Sequence, residues 1–349
     1  MQLLAGPLIV RTPQELKQDA QEVTVMLHDF TFKAPEEVLK EVTGGSMASM
    51  GGGKAPATPP KVTSPGAGKM AGTPGKGDGG KPDVNDFDFD AYLANDSTLD
   101  DPMVVRTERN GRVRLRIING AAATVFWIDL GALEGTLIAV DGDPVRPIRG
   151  RSFPIAEAQR LDIMVDVPAG SVRPILAQRE GDRVRTGVIL AAPGAEVRKV
   201  AELAEKLAET MGASLESRLI AVNPLKARPV DRQIPVVLTG SMQPYQWRIN
   251  GRGWADRSPL RIAKGQRVVF NIVNKTPMGH PMHLHGHVFQ VIELNGRSLS
   301  GAVRDTLQVS PNGSAKIAFD ADNPGRWLFH CHNMLHMETG MATEVVYET

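Results

Sequence analysis

The chain is short of most features that would point to a polymer or a membrane as its partner. A single cysteine, Cys331, excludes an internal disulfide framework and any cysteine-rich zinc site. Net charge is nearly absent, with Lys plus Arg at 40 against Asp plus Glu at 39 for a balance of +1. No long-range field is available to gather nucleic acid or an acidic membrane surface, so neither is expected as a partner. Uninterrupted apolar runs stay well short of the roughly 18 residues of a membrane helix, so no membrane span is expected. The opening MQLLAGPLIVRTPQ has no basic leader region and no cleavage-like end to its apolar run, so no signal peptide is read there. Histidine is scarce as well, until late in the chain. Only His28 precedes His280, and the other seven of the eight lie between His280 and His336.

A length of 349 residues fits two or three domains. Short β-type runs dominate, separated by Gly, Pro, Asn and Asp at the spacing of a sandwich or barrel. Residues 1–32 read as two strands, Gly6 to Val10 and Glu22 to Phe30. A pair of strands needs a larger partner to be stable. Residues 33–85 read as a flexible linker, since Thr43 to Val84 carries 12 Gly and 6 Pro and cannot bury enough apolar surface to order itself. Within it Met47, Met50 and Met70 are thioethers of the kind that suit cuprous ion, though such residues in a linker are more often incidental. Residues 86–195 read as one all-β domain. Residues 196–233 read as a helical connector, because Val200, Leu203, Ala204, Leu207 and Met211 share one helical face. Residues 234–349 read as a last all-β domain.

Two stretches of that last domain carry the chemistry: HPMHLHGH from His280 to His287, and HCHNMLHMETGM from His330 to Met341. Side chains alternate along a strand, so His330 and His332 face one way and Cys331 between them the other, while His283 and His285 share a face. The pattern predicts two metal centres on opposite sides of one strand. On the cysteine side, Cys331, His336, Met341 and His280 form the two-His, one-Cys, weak-Met set of a blue-copper electron-transfer site. On the other side His283, His285, His330 and His332 make an all-imidazole cluster, which favours copper or zinc. His287 reads as a packing residue or a donor to a backbone carbonyl, and His28 as structural or surface.

These two motifs resemble the C-terminal copper signatures of the multicopper oxidases, laccase-like and bacterial copper-resistance types. DFDFDAYLAND, IAVDGDPVRP, AQRLDIMVDV, RDTLQVSP and ADNPGRWLFHCH look like further segments of the same family. The resemblance implies an all-β fold of tandem cupredoxin-like Greek-key β-sandwiches, here with a disordered Gly/Pro-rich linker and a connecting helix. It implies copper as cofactor: type 1 at His280, Cys331, His336 and Met341, type 2 at His283, and type 3 at His285, His330 and His332. It implies one-electron oxidation of cuprous ion or a phenolic substrate, coupled in the full-length parent to reduction of dioxygen to water, and a periplasmic location. An axial Met341 favours a lower potential and easily oxidised substrates such as cuprous ion. A cysteine flanked by histidine on both sides points to the oxidases rather than to two-domain nitrite reductases.

The family's trinuclear centre takes a second, equal set of histidines from two His-x-His motifs in a first domain, and no such pair lies in the N-terminal two hundred residues. The chain is therefore expected to be incomplete, with residues 1–32 a remnant of the first cupredoxin domain that has lost its sheet partners. The alternative is a type 1 copper-binding, electron-transfer protein without oxidase activity. Neither the reducing substrate nor the oligomeric state is legible.

Overall fold

A computed structural model describes residues 3, 5–13, 15–44, 84–108 and 111–348. Two β-sandwiches account for nearly all of the regular structure. In the first, a six-stranded sheet runs Ala91–Ala94, Gln21–Phe30, Arg112–Asn119, Arg160–Asp166, Gly135–Val140, Asp143–Gly150, facing a five-stranded sheet whose middle strand is Val172–Arg179. In the second, a seven-stranded sheet containing Arg232–Met242 and Arg267–Asn274 faces a five-stranded sheet ordered Leu260–Ala263, Ala342–Glu348, Arg326–Cys331, His280–Leu284, Thr306–Val309. The strands read from the sequence between Val113 and Ala192 and after Pro235 form because alternating β-branched and aromatic residues bury one face in each sandwich. Trp247, Phe126, Phe153, Phe270, Phe289, Phe319 and Phe329 are the largest fully buried side chains.

The two sandwiches share a device that no sequence repeat advertises. Gln21–Phe30 pairs parallel to Arg112–Asn119, from Gln21 against Val113 to Leu27 against Asn119. Arg232–Met242 pairs parallel to Arg267–Asn274 over the same span, from Arg232 against Val268 to Leu238 against Asn274. Each second strand ends on a buried asparagine whose amide donates to backbone carbonyls: Asn119 to Thr124 and Ile155, Asn274 to Met278 and Val309. Residues 21–30 are thus the opening strand of the first sandwich, paired on both sides, and not an orphaned remnant of a separate domain. The first sandwich accordingly draws on residues ahead of Asp86 as well as on 86–195. The other strand expected in residues 1–32 is absent: Gly6 to Val10 is irregular, with Leu8 and Val10 exposed.

Two further expectations need correction. Helix Pro35–Val42 lies inside the supposed linker and buries Val38, which a fully flexible segment would not do. Residues 45–83, with Met47, Met50 and Met70, lie outside the described residues. Residues 197–211 form no helix, despite their periodicity. Ala204 N–H donates to Arg183 O and Ala208 N–H to Asp182 O, so these amides pair with the sheet edge rather than four residues back. Carbonyls that a helix would use are also taken: Ala201 by Arg185, Ala204 by Arg183, Lys206 by Gln178 and Glu209 by Trp127. Propensity over one amphipathic stretch is a weak preference, and these tertiary partners override it.

Candidate metal centre

The second sandwich places both histidine motifs on neighbouring strands. His280–Leu284 pairs antiparallel to Arg326–Cys331, with Met282 opposite Cys331 and His283 opposite His330. Alternation then sorts the side chains. Cys331 Sγ lies 3.8 Å from His280 Nδ1 and 3.6 Å from His336 Nδ1, and the two Nδ1 atoms are 3.0 Å apart. All three residues are fully buried. His330 turns the other way, its Nε2 3.1 Å from His285 Nε2.

The chain beyond Cys331 folds back toward the first cluster. Asn333 caps the short helix Met334–Glu338, its side-chain oxygen accepting from the Leu335 and His336 amides. Met341, also fully buried, returns beside the strand: Cys331 N–H donates to Met341 O, and Met341 N–H to His336 O. Gly340 makes this return possible. Its φ is +127°, and a Cβ there would stand 2.5 Å from the Trp247 carbonyl oxygen.

The outer nitrogens of both rings are already engaged. His280 Nε2 meets Thr276 Oγ1 at 2.7 Å, and His336 Nε2 meets Asp86 Oδ1 at 3.1 Å. Asp86 also accepts from Tyr245 Oη at 2.8 Å and from Asn333 Nδ2 at 2.8 Å. A carboxylate accepts only, so His336 donates from Nε2 and is left with its lone pair on Nδ1. That lone pair faces His280 Nδ1 and a fully buried thiol, an arrangement that a soft cation satisfies and packing alone does not. Trp247 closes one side, its ring centroid 4.0 Å from that of His336.

Electrostatics point the same way. Burial pushes the Cys331 thiol well above its ordinary value, with Glu157 and Asp86 adding to the effect, and burial beside His336 pushes His280 well below. Asp86 is lowered: its burial opposes this, but His336 and the donors on its oxygens outweigh it. A bound cation would deprotonate the thiol outright.

In the second cluster the ring centroids of His283, His285, His330 and His332 lie 4.8–5.8 Å apart for the pairs in contact. His283 Nδ1 donates to Asp305 O at 2.9 Å, and His330 Nδ1 to Cys331 O at 2.8 Å, which leaves Nε2 of each as the free donor atom. His332 Nδ1 is buried with no hydrogen-bond partner. Burial lowers His330 to about 3 and His332 to about 4, with the neighbouring imidazoles contributing, so both are neutral and ligand-ready at any ordinary pH. The donor set fits a metal here too, although it forms a looser group than the cysteine side.

His287 belongs to neither cluster: its Nε2 meets Tyr347 Oη at 2.7 Å and its ring stacks on that tyrosine. His28 is buried in the first sandwich. Asp86, Tyr245, Trp247 and Thr276 escaped the sequence reading. Asp86 is 250 residues from the histidine that it orients, and nothing local marks it apart from the DFDFD segment in which it sits.

Replacing Asp86 with asparagine is expected to weaken metal retention at the cysteine cluster by about 10- to 100-fold, as loss of a carboxylate behind a ligating histidine does. A competitive chelator titration of the copper-loaded chain measures it, and wild-type retention in the variant would contradict the role given to Asp86.

Family models match most of the chain. Two, both described as multicopper oxidase, match residues 21–181 and 227–349. The multicopper oxidase MmcO of Mycobacterium tuberculosis is 33% identical over 345 residues, covering 98% of this chain and 65% of its own length. Copper resistance protein A of Escherichia coli is 25% identical over 339 residues, covering 68% of this chain and 56% of its own. The chain thus spans less than two thirds of these curated relatives. Among solved structures, the laccase of Botrytis aclada superposes with a TM-score of 0.70 at 19% identity, over 94% of this chain and 64% of that one. Fet3p, a multicopper oxidase that functions in iron import, superposes with a TM-score of 0.69 at 17% identity, over 94% and 66%. At those identities the likeness is one of fold.

Proposed function

The chain belongs to the multicopper oxidase family, whose metal is copper, and on that premise we propose that His280, Cys331, His336 and Met341 hold a type 1 copper. His283 is then the type 2 ligand, and His285, His330 and His332 serve the type 3 pair. The reaction is one-electron oxidation of cuprous ion or a phenolic substrate, coupled to reduction of dioxygen to water in an assembly with a full ligand set. The partners are a small reductant and dioxygen, and the location is periplasmic by family resemblance. Among the described residues no helix is long and apolar enough to cross a membrane.

The observation that carries the reading is the fully buried triangle of one sulfur and two imidazole nitrogens, 3.0–3.8 Å apart. Copper bound there supplies a one-electron couple. The chain does the rest. Asp86 and Thr276 fix the two imidazoles, Trp247 excludes water, and the backbone joining Cys331 to His330 and His332 gives a covalent path to the second cluster.

A second reading, type 1 electron transfer without oxidase activity, is favoured by one observation. Among the described residues the second cluster holds four imidazoles, and His28 lies in the other sandwich. Anaerobic copper loading tests both. The expected result is one tightly held copper per chain with an intense thiolate-to-copper band and a type 1 EPR spectrum. Colourless copper would overturn the assignment. Dioxygen uptake by the loaded chain would exclude the electron-transfer reading, and blue copper without uptake would support it.

A further inference from the structure

A second group of acids lies buried near Cys331 without touching the histidine clusters. Glu157 is 2% exposed and Glu180 6%. Both line a void of about 20 Å³, with Met211, Met278, Gln308 and Asn333 around it. That is room for a single water. Glu180 accepts from the Met211 amide, but Glu157 Oε2 and Gln308 Oε1 are buried with no hydrogen-bond partner. Among the described residues no Lys or Arg forms an ion pair with either carboxyl. The unpartnered Glu157 and Gln308 oxygens are both acceptors, and two ionised carboxylates would leave two buried negative charges with no cation beside them. Such a group must take up a donor, and the smallest is a proton on one carboxyl.

We propose that Glu157 and Glu180, together with Gln308, form a proton-holding site that exchanges a proton with solvent as the neighbouring copper centre changes oxidation state. The inference rests on the copper reading for its redox half. When the centre loses one electron to an external acceptor, its added positive charge favours the ionised acid, and Glu157 releases one proton. When the centre regains the electron, Glu157 takes the proton back. One electron and one proton move in each direction.

The charges facing Glu157 come from several elements: Glu180 at the end of Val172–Arg179, Asp29 in Gln21–Phe30, Asp86, and Cys331 itself, all negative when ionised. Burial raises Glu157 to about 8, against its own backbone amide and with Glu180, Asp29 and Asp86 adding to the rise; burial raises Glu180 to about 7, against the Met211 amide. The exchange thus falls near neutral pH.

Infrared spectra of the metal-free chain test the proton itself. Below pH 7 they should contain the carbonyl band of a protonated, water-shielded carboxylic acid, which fades as pH rises through about 8 and is reduced in Glu157→Gln and in Glu180→Gln. No such band would overturn the proposal, whatever copper does. The folded chain holds these protons more tightly than the unfolded one does. Its urea midpoint should therefore fall as pH rises from about 5 to 8, and fall less in Glu157→Gln. In the copper-loaded chain the midpoint potential should drop as pH rises through this window, by at most tenfold in the redox equilibrium per pH unit, about 59 mV for one electron. Glu157→Gln should flatten that slope. A potential independent of pH in the parent would overturn the coupling. A cation other than copper, bound one per chain and lost in Glu157→Gln, would overturn the proton as the occupant. Failure to bind copper while the acid band persists would strike the copper reading alone.

Discussion

Substituting serine for Cys331 is expected to erase the visible absorption of the copper-loaded chain completely. The band requires a thiolate bonded to the metal, and Cys331 is the only thiol in the chain. The hydroxyl is a hard, weakly acidic donor that leaves two imidazoles and a thioether, a set that no longer selects copper by softness. The fold should survive. The exchange places a slightly smaller polar atom in a fully buried site, at a cost of about 1–3 kcal/mol. Visible and EPR spectra with metal analysis check this against His285→Ala, which alters the second cluster and should leave the blue band in place. A persistent band in Cys331→Ser would remove the basis for the whole assignment.

The largest expected loss of stability lies where the two sandwiches meet. Arg304, fully enclosed, bonds Asp141 Oδ2 at 2.9 Å and forms an ion pair with Glu216, so one guanidinium serves two buried carboxylates. Asp141 also accepts from the amides of Arg160 and Thr306. Next to it Arg160 forks onto the Asp305 carboxylate, at 2.8 and 2.6 Å, and the Asp305 backbone carbonyl accepts from His283. Replacing Arg304 with methionine keeps the bulk but leaves buried Glu216 without its cation and removes one of two from Asp141, and breaking one side of a buried ion pair costs about 3–5 kcal/mol. Urea unfolding with an unchanged m-value would measure that loss. The sign of its pH dependence follows from Glu216. Burial raises its pKa and Arg304 pulls it back, so losing Arg304 lets it rise further. A group whose folded pKa is raised is most favourable below its unfolded value. The variant should therefore recover stability as pH falls from 8 toward 5. A loss of less than about 1 kcal/mol at pH 8 would mean that solvent reaches these groups.

Much of this molecule was readable from the chain itself, for reasons that differ from residue to residue. Cys331 between two histidines, with His336 and Met341 at fixed offsets, is a local signal, because a strand and a tight turn convert those offsets directly into positions. The sorting of His330 and His332 away from Cys331 needs nothing beyond strand alternation. Asp86 and Tyr245 were invisible because their role exists only after two sandwiches pack, and no spacing encodes it. The failed helix at 197–211 has an equally physical cause: its periodicity is genuine, but Arg183, Arg185, Gln178 and Trp127 offered its backbone other partners. Residues 21–30 misled in a different way. The long insertion that follows made their strand look severed from its sheet, although parallel pairing to 113–119 reaches across that insertion at little entropic cost.

The pairing of Met282 with Cys331 and His283 with His330 also bears on how chains of this kind can drift. Adding or losing one residue within either strand would turn every following side chain through the sheet, carrying imidazoles to the wrong cluster and, in Arg326–Cys331, exchanging thiol for imidazole. Length variation is thereby barred from these two strands and pushed into connections such as Asn295–Gly296 and Asn312–Gly313, where turns with positive φ already absorb it. Lineages should differ in the lengths of their loops while the count between His280 and His285, and between His330 and Met341, stays frozen.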